Sequence, residues 1–184
     1  TAIDPNVGTI TSVTPDRHYG VLYTSLSLVP EDTINEFDVY IVDFTNNSYE
    51  LISKSSAGAL GNDDSLLAAF DRTVSDDGRY VVFYSYASSL TNHIYTGTEV
   101  YQVFLRDRVT QTTTLLSTNP AGNPGNATSF GGLISKDGQT VAFATTATDV
   151  VNTPGTTHIV VHDVATGANV RVSRPQGIPE NSDQ

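Results

Sequence analysis

The stretch Ser75-Asp76-Asp77-Gly78-Arg79-Tyr80-Val81-Val82-Phe83-Tyr84-Ser85 joins an Asp-Gly turn signal to a run of β-branched and aromatic residues, so it reads as a turn feeding a strand. Two other stretches repeat it: Thr14-Pro15-Asp16-Arg17-His18-Tyr19-Gly20-Val21-Leu22-Tyr23-Thr24 and Ser135-Lys136-Asp137-Gly138-Gln139-Thr140-Val141-Ala142-Phe143-Ala144-Thr145. Their central aspartates, Asp16, Asp77 and Asp137, lie 61 and 60 residues apart. A second landmark follows each copy: Val39-Tyr40-Ile41-Val42-Asp43, Val103-Phe104-Leu105-Arg106-Asp107 and Ile159-Val160-Val161-His162-Asp163. Ten residues after each of those last aspartates comes a serine, Ser53, Ser117 or Ser173. Two landmarks recurring in one order with a fixed internal spacing make the chain a threefold repeat.

Working outward, each unit reads as four short strands. They are predicted near 8–13, 19–25, 37–44 and 49–53 in the first unit, and near 66–74, 80–86, 100–107 and 113–117 in the second. In the third they fall near 129–134, 140–145, 158–164 and 169–173. No segment sustains an apolar pattern at helical spacing; 60–70 comes nearest, and Gly61-Asn62-Asp63-Asp64 interrupts it. Four antiparallel strands per repeat at this period predict an all-β protein of three propeller blades: 1–57, 58–121 and 122–176, with 177–184 as a linker toward a following blade. Three blades do not close a ring, so the propeller is expected to be completed by another copy or by a missing part of the chain.

Thr14-Pro15-Asp16, Asp76 to Phe83 and Asp38-Val39-Tyr40-Ile41-Val42-Asp43 resemble the TolB-like, Pro-Asp type of WD40-like β-propeller repeat. The resemblance covers the chain three times over and implies a fold rather than an activity, because such repeats occur in periplasmic translocation proteins, peptidase gating domains and secreted proteins. The sequence departs from that repeat at Arg17, where glycine is usual, and at Gln102 and His158, which take the place of Asp38.

Composition narrows the partners. Charged residues are 16% of the 184, and 20 acids against 9 bases leave a net charge of −11. Nucleic acid and anionic membrane surfaces call for clustered Lys and Arg, so neither is an expected partner. Without Cys, Met or Trp there is no disulfide framework, thiolate metal site or cysteine nucleophile. No apolar run approaches the roughly 18 residues of a membrane helix, so no membrane insertion is expected. With 25 Thr, 17 Ser and no readily oxidised side chain, the composition suits an extracellular or periplasmic location. A start at Thr1 suggests a processed product or a fragment.

Candidate chemistry is sparse. Neither His-Glu-x-x-His nor a Gly-x-Ser-x-Gly elbow is present. His158 and His162 share one strand face about 13 Å apart, too far to chelate one ion, and read as half-exposed strand residues. His18 reads as a solvated loop residue. Asp16, Asp77 and Asp137 read as turn builders, because an Asp before a tight turn accepts the backbone N–H two residues on; Asp43, Asp107 and Asp163 read the same way. No catalytic or cofactor-binding residue is therefore expected.

A hard cation is the best remaining idea. Glu31, Asp32, Asn35 and Asp38, with Glu36 among them, place oxygen ligands for Ca²⁺ within eight residues of loop, and Asn62, Asp63 and Asp64 form a second cluster. A solvated acidic loop is the plain alternative, since neither cluster has EF-hand spacing. Asn46 and Asn126 head glycosylation acceptor patterns. Tyr19, Tyr23, Tyr80, Tyr84 and Tyr86 read as packing residues, with a sugar- or peptide-binding platform as the alternative.

These readings predict a non-enzymatic structural protein whose end blades present complementary faces. Docking head to tail, they would form a filament, a surface layer or a closed oligomer. By resemblance, the alternative is a periplasmic TolB-like protein-binding or gating module, or a fragment of a larger secreted propeller. A protein or glycan ligand fits either.

Overall fold

The computed structural model describes residues 7–69, 72–93, 100–151 and 157–173. Among them there is no helix, and twelve strands form three antiparallel four-stranded sheets. Blade 1 holds β1 (Thr9–Val13), β2 (Tyr19–Thr24), β3 (Asp38–Asp43) and β4 (Ser48–Leu51). Blade 2 holds β5 (Ser65–Leu66), β6 (Tyr80–Ser85), β7 (Gln102–Asp107) and β8 (Thr112–Leu115). Blade 3 holds β9 (Ser129–Ile134), β10 (Thr140–Thr145), β11 (His158–Asp163) and β12 (Asn169–Arg171). The predicted β5 is shortened: beyond Leu66 the ladder resumes only at a Val74–Val81 bridge, while Leu67 packs into the core between blades.

The repeated turn is a hydrogen-bond unit. Thr14 Oγ1 donates to Asp16 Oδ1 at 2.6 Å, and the same carboxylate oxygen accepts the His18 N–H at 2.9 Å. Ser75 and Asp77 repeat this with Arg79, and Ser135 and Asp137 with Gln139. The residue after each Asp is left-handed: Arg17 at φ 59°, Gly78 at 70° and Gly138 at 73°. Glycine is needed at two of these because the turn presses on the preceding blade. A Cβ on Gly78 would lie 2.3 Å from the Tyr19 ring, and one on Gly138 2.4 Å from the Tyr80 ring. In blade 1 Arg17 takes this position and is exposed.

Strand alternation gives each blade two apolar faces. The face toward the next blade, called trailing here, carries Val21, Val39, Ile41 and Ile52 in blade 1. These pack against Val81, Phe83 and Phe104 on the leading face of blade 2. Val82, Val103, Leu105 and Leu116 on the trailing face of blade 2 pack likewise against Val141, Phe143 and Val160 of blade 3. Burial of a Val, Leu or Phe side chain contributes roughly 1.5–3 kcal/mol, so these two junctions are the main cohesion of the fold.

The two end faces of the described residues differ in their cover. On the leading face of blade 1, Leu22, Tyr40, Val42 and Leu51 are buried beneath Leu28 and Val29 of the β2–β3 loop, with Val7 and Leu60 at the margin. The Tyr40 hydroxyl donates to Asp32, which pins that loop in place.

Candidate functional site

The trailing face of blade 3 is largely open among the described residues, with Ala68 and Ala69 lining one side of it. Register pairs Ala142 with Val161 and Ala144 with Ile159 in β10 and β11, as Val82 pairs with Leu105 in blade 2 and Val21 with Ile41 in blade 1. Counting from the repeated aspartates and serines, Val39, Val103 and Ile159 are equivalent, as are Ile52, Leu116 and Val172. The first two members of each set are sealed between blades, whereas Ile159 is 42% exposed and Val172 53%. Phe130, Leu133 and Val170 add further exposed apolar surface. The smaller Ala142 and Ala144 leave a depression of about 280 Å³ beside Phe130 and Ile159.

The second feature lies where the linker out of blade 1 passes the start of β3. Ser53 Oγ accepts the Val39 N–H and donates to Asp38 Oδ1 at 2.5 Å, a pairing repeated by Ser117 with Val103 and Gln102. Asp38 is 1% exposed, and its Oδ2 has no hydrogen-bond partner. Burial pushes the Asp38 carboxyl up to about 6 against the pull of the Ser53 hydrogen bond, and the negative charges of Asp32, Asp64 and Glu36 add to the rise. Glu36, Asp63 and Asp64 bring carboxylate oxygens within 4.8 Å of one another, and Asp64 Oδ1 also accepts the Phe37 N–H at 2.9 Å.

The four residues expected from sequence to hold Ca²⁺ are distributed differently. Glu31 and Asn35 are exposed, Asp32 is buried on the Tyr40 hydroxyl, and Asp38 sits at the linker junction. The grouping with Glu36, Asp63 and Asp64 draws on two loops that the sequence reading treated as separate clusters. Asn46 is exposed in the β3–β4 turn, with Oδ1 accepting the Ser48 N–H. Asn126 is exposed, and its amide donates to Thr148 Oγ1 at 3.0 Å.

His158 and His162 differ from expectation: they are buried, because they alternate with outward-facing Ile159 and Val161 and so enter the junction with blade 2. Burial holds the His162 imidazole below its ordinary range, against its hydrogen-bonding contact with Asn169 at 2.9 Å. His18 stacks on Tyr19 with ring centroids 4.2 Å apart, and its Nε2 lies 3.3 Å from Asp43 Oδ1. Tyr101, missed in the sequence, stacks on Tyr86 at 3.5 Å between centroids and meets Tyr84 edge-on.

No family model and no curated protein matches this sequence. Solved structures do match in fold. TolB from Acinetobacter baumannii aligns with a TM-score of 0.56 at 14% identity, over 91% of this chain and 32% of TolB. The β-propeller domain of the Trilobed protease from Pyrococcus furiosus, described as having an open velcro topology, aligns at 0.54 and 10% identity, over 93% and 43%. The tricorn protease aligns at 0.51 and 8%, over 86% and 17%. The chain thus has a TolB-like β-propeller fold and spans under half the length of each of these structures.

Proposed function

We propose that this TolB-like propeller segment is a non-enzymatic protein-binding and assembly module of an extracellular or periplasmic protein. Its working surface is the trailing face of blade 3, and the occupant is the leading face of a further propeller blade. One observation carries the reading: positions sealed by a leading face at both internal junctions are apolar and exposed at Ile159 and Val172, and only half-buried at Val161. A leading face is the occupant because a leading face covers those positions twice within this chain. The Ala142 and Ala144 depression favours a partner with a larger side chain there than blades 2 and 3 present.

Head-to-tail growth into a filament, surface layer or closed oligomer is the form in which the further blade belongs to a second copy. It requires loop 25–37 to leave the leading face of blade 1. The non-enzymatic reading is supported by the repeated carboxylates, since Asp16, Asp77 and Asp137 are each engaged in their own turn. The location is supported by the absence of Cys, Met and Trp. TolB and two protease propellers share the fold, which favours polypeptide partners.

Light scattering over a range of concentrations tests the reading, on the wild-type chain and on Ile159→Asp. Association of the wild type that the substitution abolishes is the expected result. A mass near twice the monomer marks a closed pair, and large extended particles mark open head-to-tail growth. A wild-type chain that stays monomeric and behaves like Ile159→Asp overturns the reading, as does robust catalytic turnover by the isolated chain.

A further inference from the structure

The two blade junctions can be compared residue by residue, because their linkers follow one backbone path. The Gly61 N–H donates to Ser53 O as the Gly125 N–H does to Ser117 O, and the Ser65 N–H donates to Phe37 O as the Ser129 N–H does to Tyr101 O. On that shared path the second junction is neutral and the first is acidic. Val100, Gln102, Ala127 and Thr128 stand where the first junction has Glu36, Asp38, Asp63 and Asp64. The four acids are therefore not required to build the junction.

The second junction also shows what the buried position needs. Gln102 Oε1 accepts from Ser117 Oγ, and its Nε2 donates to the carbonyls of Gly125 and Ala127 at 3.1 and 3.4 Å. In the first junction Asp38 keeps the serine contact through Oδ1, and the linker carbonyls of Gly61 and Asp63 are the sequence equivalents of those that Gln102 reaches. Oδ2 has no partner, and the residue is 1% exposed. An acceptor-only carboxylate thus stands at the chain position where the next blade has an amide that donates to linker carbonyls. A buried carboxylate oxygen without a partner calls for a proton or a cation.

We propose that the blade 1–blade 2 junction binds calcium at the cluster of Glu36, Asp63 and Asp64, whose carboxylate oxygens lie within 4.8 Å of one another, with Asp38 and the linker carbonyls of Gly61 and Asp63 completing its buried side. The ligand set is all oxygen, which suits a hard cation rather than a transition metal. Its mix of carboxylates and carbonyls, with one flank open to water at Glu36, matches the six to eight oxygens and adaptable geometry of Ca²⁺ better than the rigid octahedron of Mg²⁺. A bound ion ties the start of β3 to the linker entering blade 2, and so fastens the two blades together.

Blade 2 supplies the test variant. Asp38→Gln restores a donor to the linker carbonyls and keeps the serine contact, as Gln102 does. Thermal unfolding is compared for the wild type and Asp38→Gln in chelator, in millimolar CaCl₂ and in MgCl₂ of equal ionic strength. The expected result is a wild-type midpoint that climbs with the logarithm of calcium concentration, beyond the magnesium control, and a variant that does not respond. In chelator the variant is expected to melt above the wild type. If Asp38→Gln does not fold, Asp64→Thr, which copies Thr128, serves in its place. No calcium-specific rise in the wild type, which would leave protonated Asp38 as the donor, overturns the site, as does an equal rise in the variant.

Discussion

The leading face of blade 1 and the trailing face of blade 3 are built from the same kinds of strand residues, yet they meet opposite fates. On the first, Tyr40 and Val42 are fully buried, because Leu28 and Val29 fold back over them and Asp32 accepts the tyrosine hydroxyl. On the second, Ile159 and Val172 stay open. The equivalent segments in blades 2 and 3 explain the difference. There Ala87 with Leu90, and Ala147 with Val150, lie inside the junction with the preceding blade. In blade 1 the same stretch, with Leu26 exposed, packs over its own sheet instead. Arg17 fits this picture: it stands where Gly78 and Gly138 touch a tyrosine of the blade before. Repeat arrays need a capped end to remain soluble. The leading face of blade 1 is covered in this way, whereas the trailing face of blade 3 stays exposed among the described residues.

The largest effect should come from breaking the cap. Tyr40→Ala removes a buried ring and leaves the Asp32 carboxylate without its hydroxyl partner, so a loss of about 3–5 kcal/mol is expected in urea unfolding. Next comes a trailing face that is already covered. Val103→Ala removes two methyl groups at the blade 2–blade 3 junction and should cost about 2 kcal/mol, at ~0.8 kcal/mol for each group plus the cavity. If either substitution proves neutral, the contrast between covered and open faces is not the one that governs stability.

A pH experiment sharpens the comparison of leading faces. One register position carries Val42, Arg106 and His162 in the three blades, and of these only the histidine titrates near neutrality. Burial lowers the His162 pKa in the folded state, so the unfolded chain binds the proton more readily. Stability from this group is fully present above the unfolded value of about 6.5 and is lost as pH falls below it. The contribution of His162 to the unfolding midpoint should fall between neutrality and mild acid, opposed by Asp38, whose carboxyl is raised to about 6 and favours the folded state as pH falls. His162→Val, the residue of blade 1, should remove the histidine's share of that slope. A slope unchanged by the substitution would show that other groups set it.

The parts of the fold legible in sequence were those written locally. The hydroxyl, Asp and left-handed residue of each turn lie within four positions, and the serine that holds each third strand recurs at fixed spacing, so blades and most strand limits could be read directly. Three features escaped for physical reasons. Alternation put His158 and His162 on one face but could not say which face, and that parity decided their burial. The cap depends on where loop 25–37 lies in space, and Leu28 and Val29 carry no periodic signal. The junction acids come from two loops, with Phe37 and Asp64 separated by 27 positions, so the cluster exists only after blades 1 and 2 have packed.

The smallest expected effect on stability tests the open face most directly. Ile159→Ala is the counterpart of Val103→Ala, at the same register position one blade later. Because Ile159 is 42% exposed and lacks a covering blade, the substitution should change urea stability by no more than about 0.5 kcal/mol. The same change should weaken association in the light-scattering experiment, because a docked blade would bury that side chain. A near-neutral fold with lost association would separate a residue that binds from one that merely packs. A loss of about 2 kcal/mol or more in the monomer, the range of a covered core aliphatic, would instead mean that Ile159 is already covered in solution. The trailing face of blade 3 would then be capped like the leading face of blade 1, and the difference between the two ends would disappear.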